Sequence, residues 1–120
     1  MSNDVIIGTI GSQADITLIH IRGFLDTVVA YSLQEQIYAL ISAGSYKYII
    51  DLKELEQISS AGIGLFSGLV MELRKHHGQL IFLHVPEQVE HVFKITRLIE
   101  LFIIGENMDQ AVAALEAGSM

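Results

Sequence analysis

Two serines stand directly before a run of small residues, in the segment Ser59-Ser60-Ala61-Gly62-Ile63-Gly64. A serine before a helical run caps the first amide groups with its hydroxyl oxygen, and one serine is enough for this. The second serine would keep its hydroxyl at the helix N-terminus, where free N–H groups and the helix dipole favour negative charge. Gly62 and Gly64 each cost about 1 kcal/mol relative to alanine inside a helix, which indicates close packing or close approach by a partner. The segment predicts an anion-tolerant spot that already holds a hydroxyl.

Two segments of the chain follow apolar runs and are expected to lie together. One is Gly23-Phe24-Leu25-Asp26, and the other is the Lys53–Ser59 loop that leads into the two serines. In parallel α/β sheets, binding occurs beyond the carboxyl ends of the strands. If the strands before these two segments are parallel, both segments lie at the same edge of the sheet.

Short apolar runs predict five strands. They are Val5–Ile10, Ile16–Ile21, Tyr46–Leu52, Leu80–Val85 and Leu101–Ile104. The polar turn Gly11–Asp15 joins the first two strands as an antiparallel hairpin, and Gly23 is expected to end the second strand. The run that begins at Leu80 is apolar on both faces except for His84, which is typical of an interior strand.

Apolar residues at three- and four-residue steps predict four helices between and after these strands. Their marker residues are Val29, Leu33, Ile37, Leu40 and Ile41; Ile63, Phe66, Leu69, Val70 and Leu73; Val89, Val92, Phe93 and Thr96; and Met108, Ala111, Val112 and Leu115. Asp26 or Thr27 can cap the first helix, Gly44 and Gly78 close the first two, and Pro86 suits the first turn of the third. The alternation predicts an α/β fold with a mixed, mostly parallel five-stranded sheet and an N-terminal hairpin.

Composition limits the classes of function. The 120 residues fit one domain, which we expect to span residues 1–120, and 51% hydrophobic residues allow a well-filled core. Seven basic and fourteen acidic residues give a net charge of -7, which disfavours nucleic acid and anionic membranes as partners. There is no cysteine, so thiolate chemistry is excluded. The N-terminus lacks signal-peptide features, and the uncharged stretch Gln57–Met71 is too short to span a bilayer, so we expect a cytoplasmic protein without direct membrane insertion.

The stretch from Asp51-Leu52 through Ser60-Ala61-Gly62-Ile63-Gly64-Leu65 resembles the signature of STAS-domain anti-sigma-factor antagonists. That signature has an Asp-Leu strand end, a short loop and a Ser-Gly helix start. Gly23-Phe24-Leu25-Asp26 is similar to the Gly-x-Leu-Asp loop of the same family. The order of strands and helices also matches over nearly the whole chain.

The resemblance implies a switch and not an enzyme or a cofactor-binding protein. Members bind an anti-sigma factor that is a serine kinase and thereby release a sigma factor; the kinase phosphorylates a serine at the helix start, and a phosphatase reverses this. The matching serine is Ser60. Many members have Asp just before this serine where this chain has Ser59, so Ser59 is the second candidate. The resemblance places partner binding at Asp26, Ser59, Ser60, Ala61, Gly62 and Gly64.

Enzymatic alternatives fit less well. Gly62-x-Gly64 with Ser67-Gly68 resembles a dinucleotide fingerprint, but the third glycine is displaced by one and no acidic residue ends the next strand. Ser60 lacks the Gly-x-Ser-x-Gly elbow of serine hydrolases. The five histidines show no paired spacing on one helix face, so no metal site is expected.

The stronger alternative is a STAS interaction module with another partner. It could act in a different partner-switching or stress-signalling complex, or regulate a transporter on another chain.

Overall fold

The computed structural model describes residues 4–117 of the chain. Its strands and helices are β1 (Asp4–Ile10), β2 (Ile16–Leu25), α1 (Thr27–Ser42), β3 (Lys47–Asp51), β4 (Leu55–Ile58), α2 (Ser60–Arg74), β5 (Gln79–Leu83), α3 (Glu87–Ile95), β6 (Ile103–Ile104) and α4 (Met108–Ala117), with a 3₁₀ turn at Leu98–Glu100. The predicted fold class is confirmed, with one strand more than expected. Among the described residues, no helix has the length and apolar character needed to cross a membrane.

The sheet has the strand order β1-β2-β3-β5-β6. β1 and β2 form the predicted antiparallel hairpin, while β2 with β3, β3 with β5, and β5 with β6 pair in parallel. The carboxyl ends of β2, β3 and β5 therefore lie at one edge, as the sequence predicts, and β5 is the expected interior strand.

Two expectations about the loops at this edge are wrong. Gly23 does not end the second strand: it takes a positive φ of 83° at a register shift, and β2 continues to Leu25. The predicted Lys53–Ser59 loop contains β4, which pairs in parallel with this extension of β2. Glycine can adopt a left-handed conformation without the steric cost that other residues bear, so it bends the strand instead of stopping it.

Several smaller boundaries also differ from the prediction. The third helix is preceded by Pro86 as its N-cap, and the fifth predicted strand shrinks to Ile103–Ile104. The strand predicted over Leu80–Val85 ends at Leu83, since His84 has a positive φ of 54°. The second helix ends at Arg74, and the left-handed residue after it is His77, with a φ of 57°. Gly78 closes the helix as predicted, because its N–H donates to the Leu73 carbonyl oxygen at 2.8 Å, and a Cβ there would meet the carbonyl oxygen of Tyr46.

Apolar side chains cover both faces of the sheet. One cluster joins the sheet to α1, α2 and α3, and includes Ile19, Leu33, Tyr48 and Phe66, all at most 1% exposed. A second, smaller cluster joins the other face to α4. Its buried members are Ile16, Ile49, Ile81, Leu83, Ala111 and Leu115. The two helices whose N-termini follow β2 and β4 thus lie on one face, and α4 lies on the other.

Candidate functional site

Ser59 is the N-cap of α2, and its hydroxyl both accepts and donates a hydrogen bond within the fold. The Oγ atom accepts a hydrogen bond from the Gly62 N–H at 3.1 Å and donates one to the Leu25 carbonyl oxygen at 2.8 Å. The Ser59 N–H donates to the same carbonyl at 3.0 Å. Ser59 therefore joins the start of α2 to the end of β2.

Ser60 is the first residue of α2 and is exposed. Within residues 4–117 its hydroxyl has no hydrogen-bond partner. The first turn of α2 also contains no acidic residue that would compete for its N–H groups. The structure thus gives one capping serine and one spare hydroxyl at a helix N-terminus, as the sequence predicts, and assigns the cap to Ser59.

The two glycines of the first turns differ in surroundings. Gly62 is buried, and a Cβ there would lie 2.8 Å from Ile58 Cγ1 and 2.9 Å from Leu25 Cδ2. Gly64 is exposed, and a Cβ there would meet nothing within 4 Å. Gly62 is therefore required for packing against β2 and β4. Gly64 leaves a stretch of helix backbone exposed, with the partly exposed Ala61 nearby in sequence.

Asp26 caps α1 at the same place. Its Oδ1 atom accepts a hydrogen bond from the Val29 N–H at 2.8 Å. Asp26 directly follows Leu25, whose carbonyl oxygen receives the bonds from Ser59, so the N-termini of α1 and α2 meet beside the end of β2. The Gly23-Phe24-Leu25-Asp26 segment and the serines therefore share one edge of the sheet.

Apolar surface lies beside these caps, at residues that the sequence patterns did not single out. On α1, Val28 is 77% exposed and Tyr31 is 60% exposed. A groove of about 370 Å³ lies between the β2–β4 pair and α3, lined by Phe24, Glu56, Gln57, Ile58, Gln88, Val89 and Val92. For α1 the signal was available in the sequence, because Val28 and Tyr31 are out of phase with the buried residues Ala30, Leu33 and Ile37.

A polar network on the α4 side of this edge was also missed. Asp51 Oδ1 lies 3.1 Å from His84 Nδ1, and its Oδ2 lies 3.7 Å from His20 Nδ1. His20 Nε2 lies 2.9 Å from Glu54 Oε1, and the Lys53 N–H donates to Asp51 at 3.0 Å. These contacts anchor the turn before β4. Asp51 ends β3, Glu54 follows it and His84 follows β5, so the rule that grouped the two loops could have grouped these three side chains too, whereas His20 lies inside β2.

The comparisons with known proteins agree on one family. The family model described as the STAS domain matches residues 10–113. The anti-sigma-B factor antagonist of Staphylococcus epidermidis is 26% identical over 95 residues, which cover 79% of this chain and 88% of that protein.

Two solved structures share the fold. SpoIIAA in its unphosphorylated form has a TM-score of 0.76 and 19% identity, covering 98% of this chain and 100% of its own. The phosphorylated form of SpoIIAA, a Bacillus cell fate determinant, has a TM-score of 0.76 and 20% identity, covering 92% and 98%.

Proposed function

Because this chain belongs to the STAS domain family, we propose that it is an anti-sigma-factor antagonist whose binding to a serine-kinase anti-sigma factor is switched off by phosphorylation of Ser60. The observation that carries the proposal is the difference between the hydroxyl groups of the two adjacent serines. The Ser60 hydroxyl is exposed at the start of α2, whereas the Ser59 hydroxyl both donates and accepts a hydrogen bond within the fold. The similarity to proteins named as anti-sigma-factor antagonists supports the partner class.

Electrostatics explains how the modification would act. A phosphoserine carries about 1.5 to 2 negative charges at neutral pH. The free N–H groups and the dipole of α2 stabilise those charges, so the fold tolerates them. At a desolvated interface the same charges are costly. Phosphorylation of Ser60 therefore weakens partner binding while leaving the stability of the domain nearly unchanged, and a serine phosphatase restores binding.

The partner surface centres on the two helix N-termini. It includes Asp26, Ser59, Ser60, Ala61, Gly62 and Gly64. Within this set, Ser60 and Gly64 are exposed and supply direct contacts, while Ser59, Gly62 and Asp26 hold the geometry through caps and packing. The exposed side chains of Val28 and Tyr31 extend the surface with apolar area of the kind that interfaces desolvate.

The experiment uses wild type, Ser60→Ala, Ser59→Ala and Ser60→Asp as parallel baits in a lysate of the source organism. We expect wild type and Ser60→Ala to retain an ATP-binding kinase, and Ser60→Asp to lose at least about tenfold in affinity for it. With ATP, the captured kinase should phosphorylate wild type and Ser59→Ala but not Ser60→Ala.

Two outcomes contradict parts of the proposal. Phosphate on Ser60→Ala but not on Ser59→Ala would move the modification to Ser59. Equal retention of one non-kinase partner by all four baits would leave Ser60 without a switching role.

A further inference from the structure

The outer edge of β1 is open in the described part of the chain. β1 pairs with β2 on one side, and no strand within residues 4–117 pairs with the other side. Its seven residues contain no proline and no lysine, the residues that most often block edge pairing. The only charge in the strand, Asp4, has Arg22 Nη1 of the neighbouring strand 3.5 Å away. Such an edge is a template for another strand.

We propose that two copies of this chain associate through antiparallel pairing of their β1 strands around a two-fold axis at Ile7. In this register Val5 lies opposite Thr9 of the second copy, and Ile6 lies opposite Gly8. Ile6 is 58% exposed, and the space above Gly8 is open, since a Cβ there would meet nothing within 4 Å. Each exposed isoleucine therefore gains an apolar contact over the bare backbone of the other copy.

The geometry limits the assembly to a dimer of modest strength. The contact is isologous, so it closes after two copies. The opposite edge of the sheet is β6, which has only two residues and offers little backbone for pairing. A seven-residue strand pair buries less than the roughly 1,200 Å² typical of stable interfaces, and each copy carries a net charge of -7. The association is therefore reversible and requires high protein concentration.

The first test measures mass in solution with the full chain. In sedimentation equilibrium, the weight-average mass of wild type should rise from 13.3 kDa towards twice that value as the concentration approaches the millimolar range. Ile6→Lys should weaken the association by at least about tenfold, because two lysines then enter the shared edge. Ile95→Lys, at a position 66% exposed on α3, is the control and should behave as wild type.

The second test uses the absence of native cysteine. In the proposed register, the two copies of residue 7 lie about 4.5 to 5.5 Å apart at Cα, within reach of a disulfide. The two copies of residue 5 are separated by about 14 Å at Cα, beyond the reach of a disulfide. Ile7→Cys should form a covalent dimer on mild oxidation, and Val5→Cys should not. A monomeric wild type at millimolar concentration, equal effects of the two lysine variants, or equal cross-linking of the two cysteine variants would each overturn the proposal.

Discussion

At the scale of single residues, two adjacent serines have separate roles because only one can be the N-cap. The Ser59 hydroxyl both donates and accepts a hydrogen bond within the fold, whereas the Ser60 hydroxyl is exposed. A phosphate on Ser59 would have to break both bonds. A phosphate on Ser60 would break none of the hydrogen bonds within the described chain, which makes Ser60 the better site for a reversible charge.

Replacing Ser59 with alanine should destabilise the protein. The variant loses the cap on the Gly62 N–H and one of the two bonds to the Leu25 carbonyl oxygen. We expect the free energy of unfolding to fall by about 1 to 2 kcal/mol, measured by urea denaturation. Ser60→Ala is the matched control and should change it by less than about 0.5 kcal/mol. Equal losses in the two variants would contradict the assignment of the cap.

The two glycines of α2 should respond to alanine with opposite signs. Gly62→Ala places a methyl group within 3 Å of Ile58 and Leu25, so we expect a loss of about 1 to 3 kcal/mol. Gly64→Ala meets open space in a helix, so we expect a gain of about 0.5 to 1 kcal/mol. Thermal and urea denaturation measure both changes. If Gly64→Ala stabilises the fold but weakens the kinase complex, the partner approaches the backbone at Gly64.

At the scale of elements, the sequence predicts the helices and the long strands well because their apolar periodicity is strong. It does not predict β4, since Leu55-Glu56-Gln57-Ile58 is only four residues long and half polar. The strand exists because the extension of β2 past Gly23 offers it a partner, and that extension depends on tertiary pairing. The two segments predicted to lie together do share one edge of the sheet, because that requires only that β2 and β3 be parallel.

The Glu116 carboxylate attaches α4 to the hairpin turn, and this contact should make the stability of the protein depend on pH. Glu116 Oε2 accepts hydrogen bonds from the Ser12 hydroxyl at 2.7 Å and from the Ser12 N–H at 2.8 Å. These bonds hold the pKa of Glu116 below its usual value. A depressed folded-state pKa means that the stabilisation is present above the unfolded-state pKa and is lost as the pH falls through the folded-state value.

The test compares the melting temperatures of wild type and Glu116→Gln across pH. We expect wild type to melt at the higher temperature near neutral pH, because the ionised carboxylate is the stronger acceptor. The gap should close as the pH falls below the lowered pKa, because the wild-type side chain is then neutral too. A gap that stays constant from neutral to acidic pH would show that the charge of Glu116 contributes nothing.

At the scale of the whole molecule, the two faces of the sheet are covered by different helices. The face covered by α1, α2 and α3 carries the helix N-termini of the candidate site, and the face covered by α4 supplies a second apolar cluster. We expect residues 1–120 to form a single domain, because both clusters are built on the same strands: Ile49 and Ile50 are adjacent in β3 and belong to different clusters. The two faces should therefore unfold together.

Leu115→Ala tests this division. Leu115 is 1% exposed in the α4 cluster, and its truncation should lower the free energy of unfolding by about 2 to 5 kcal/mol. Scanning calorimetry should show one transition in wild type and one, at lower temperature, in the variant. Well below that transition, the affinity for the proposed anti-sigma-factor partner should equal that of wild type, because α4 lies across the sheet from Ser60. Two separate transitions would contradict the single domain, and weaker binding by the folded variant would show that the α4 face takes part in recognition.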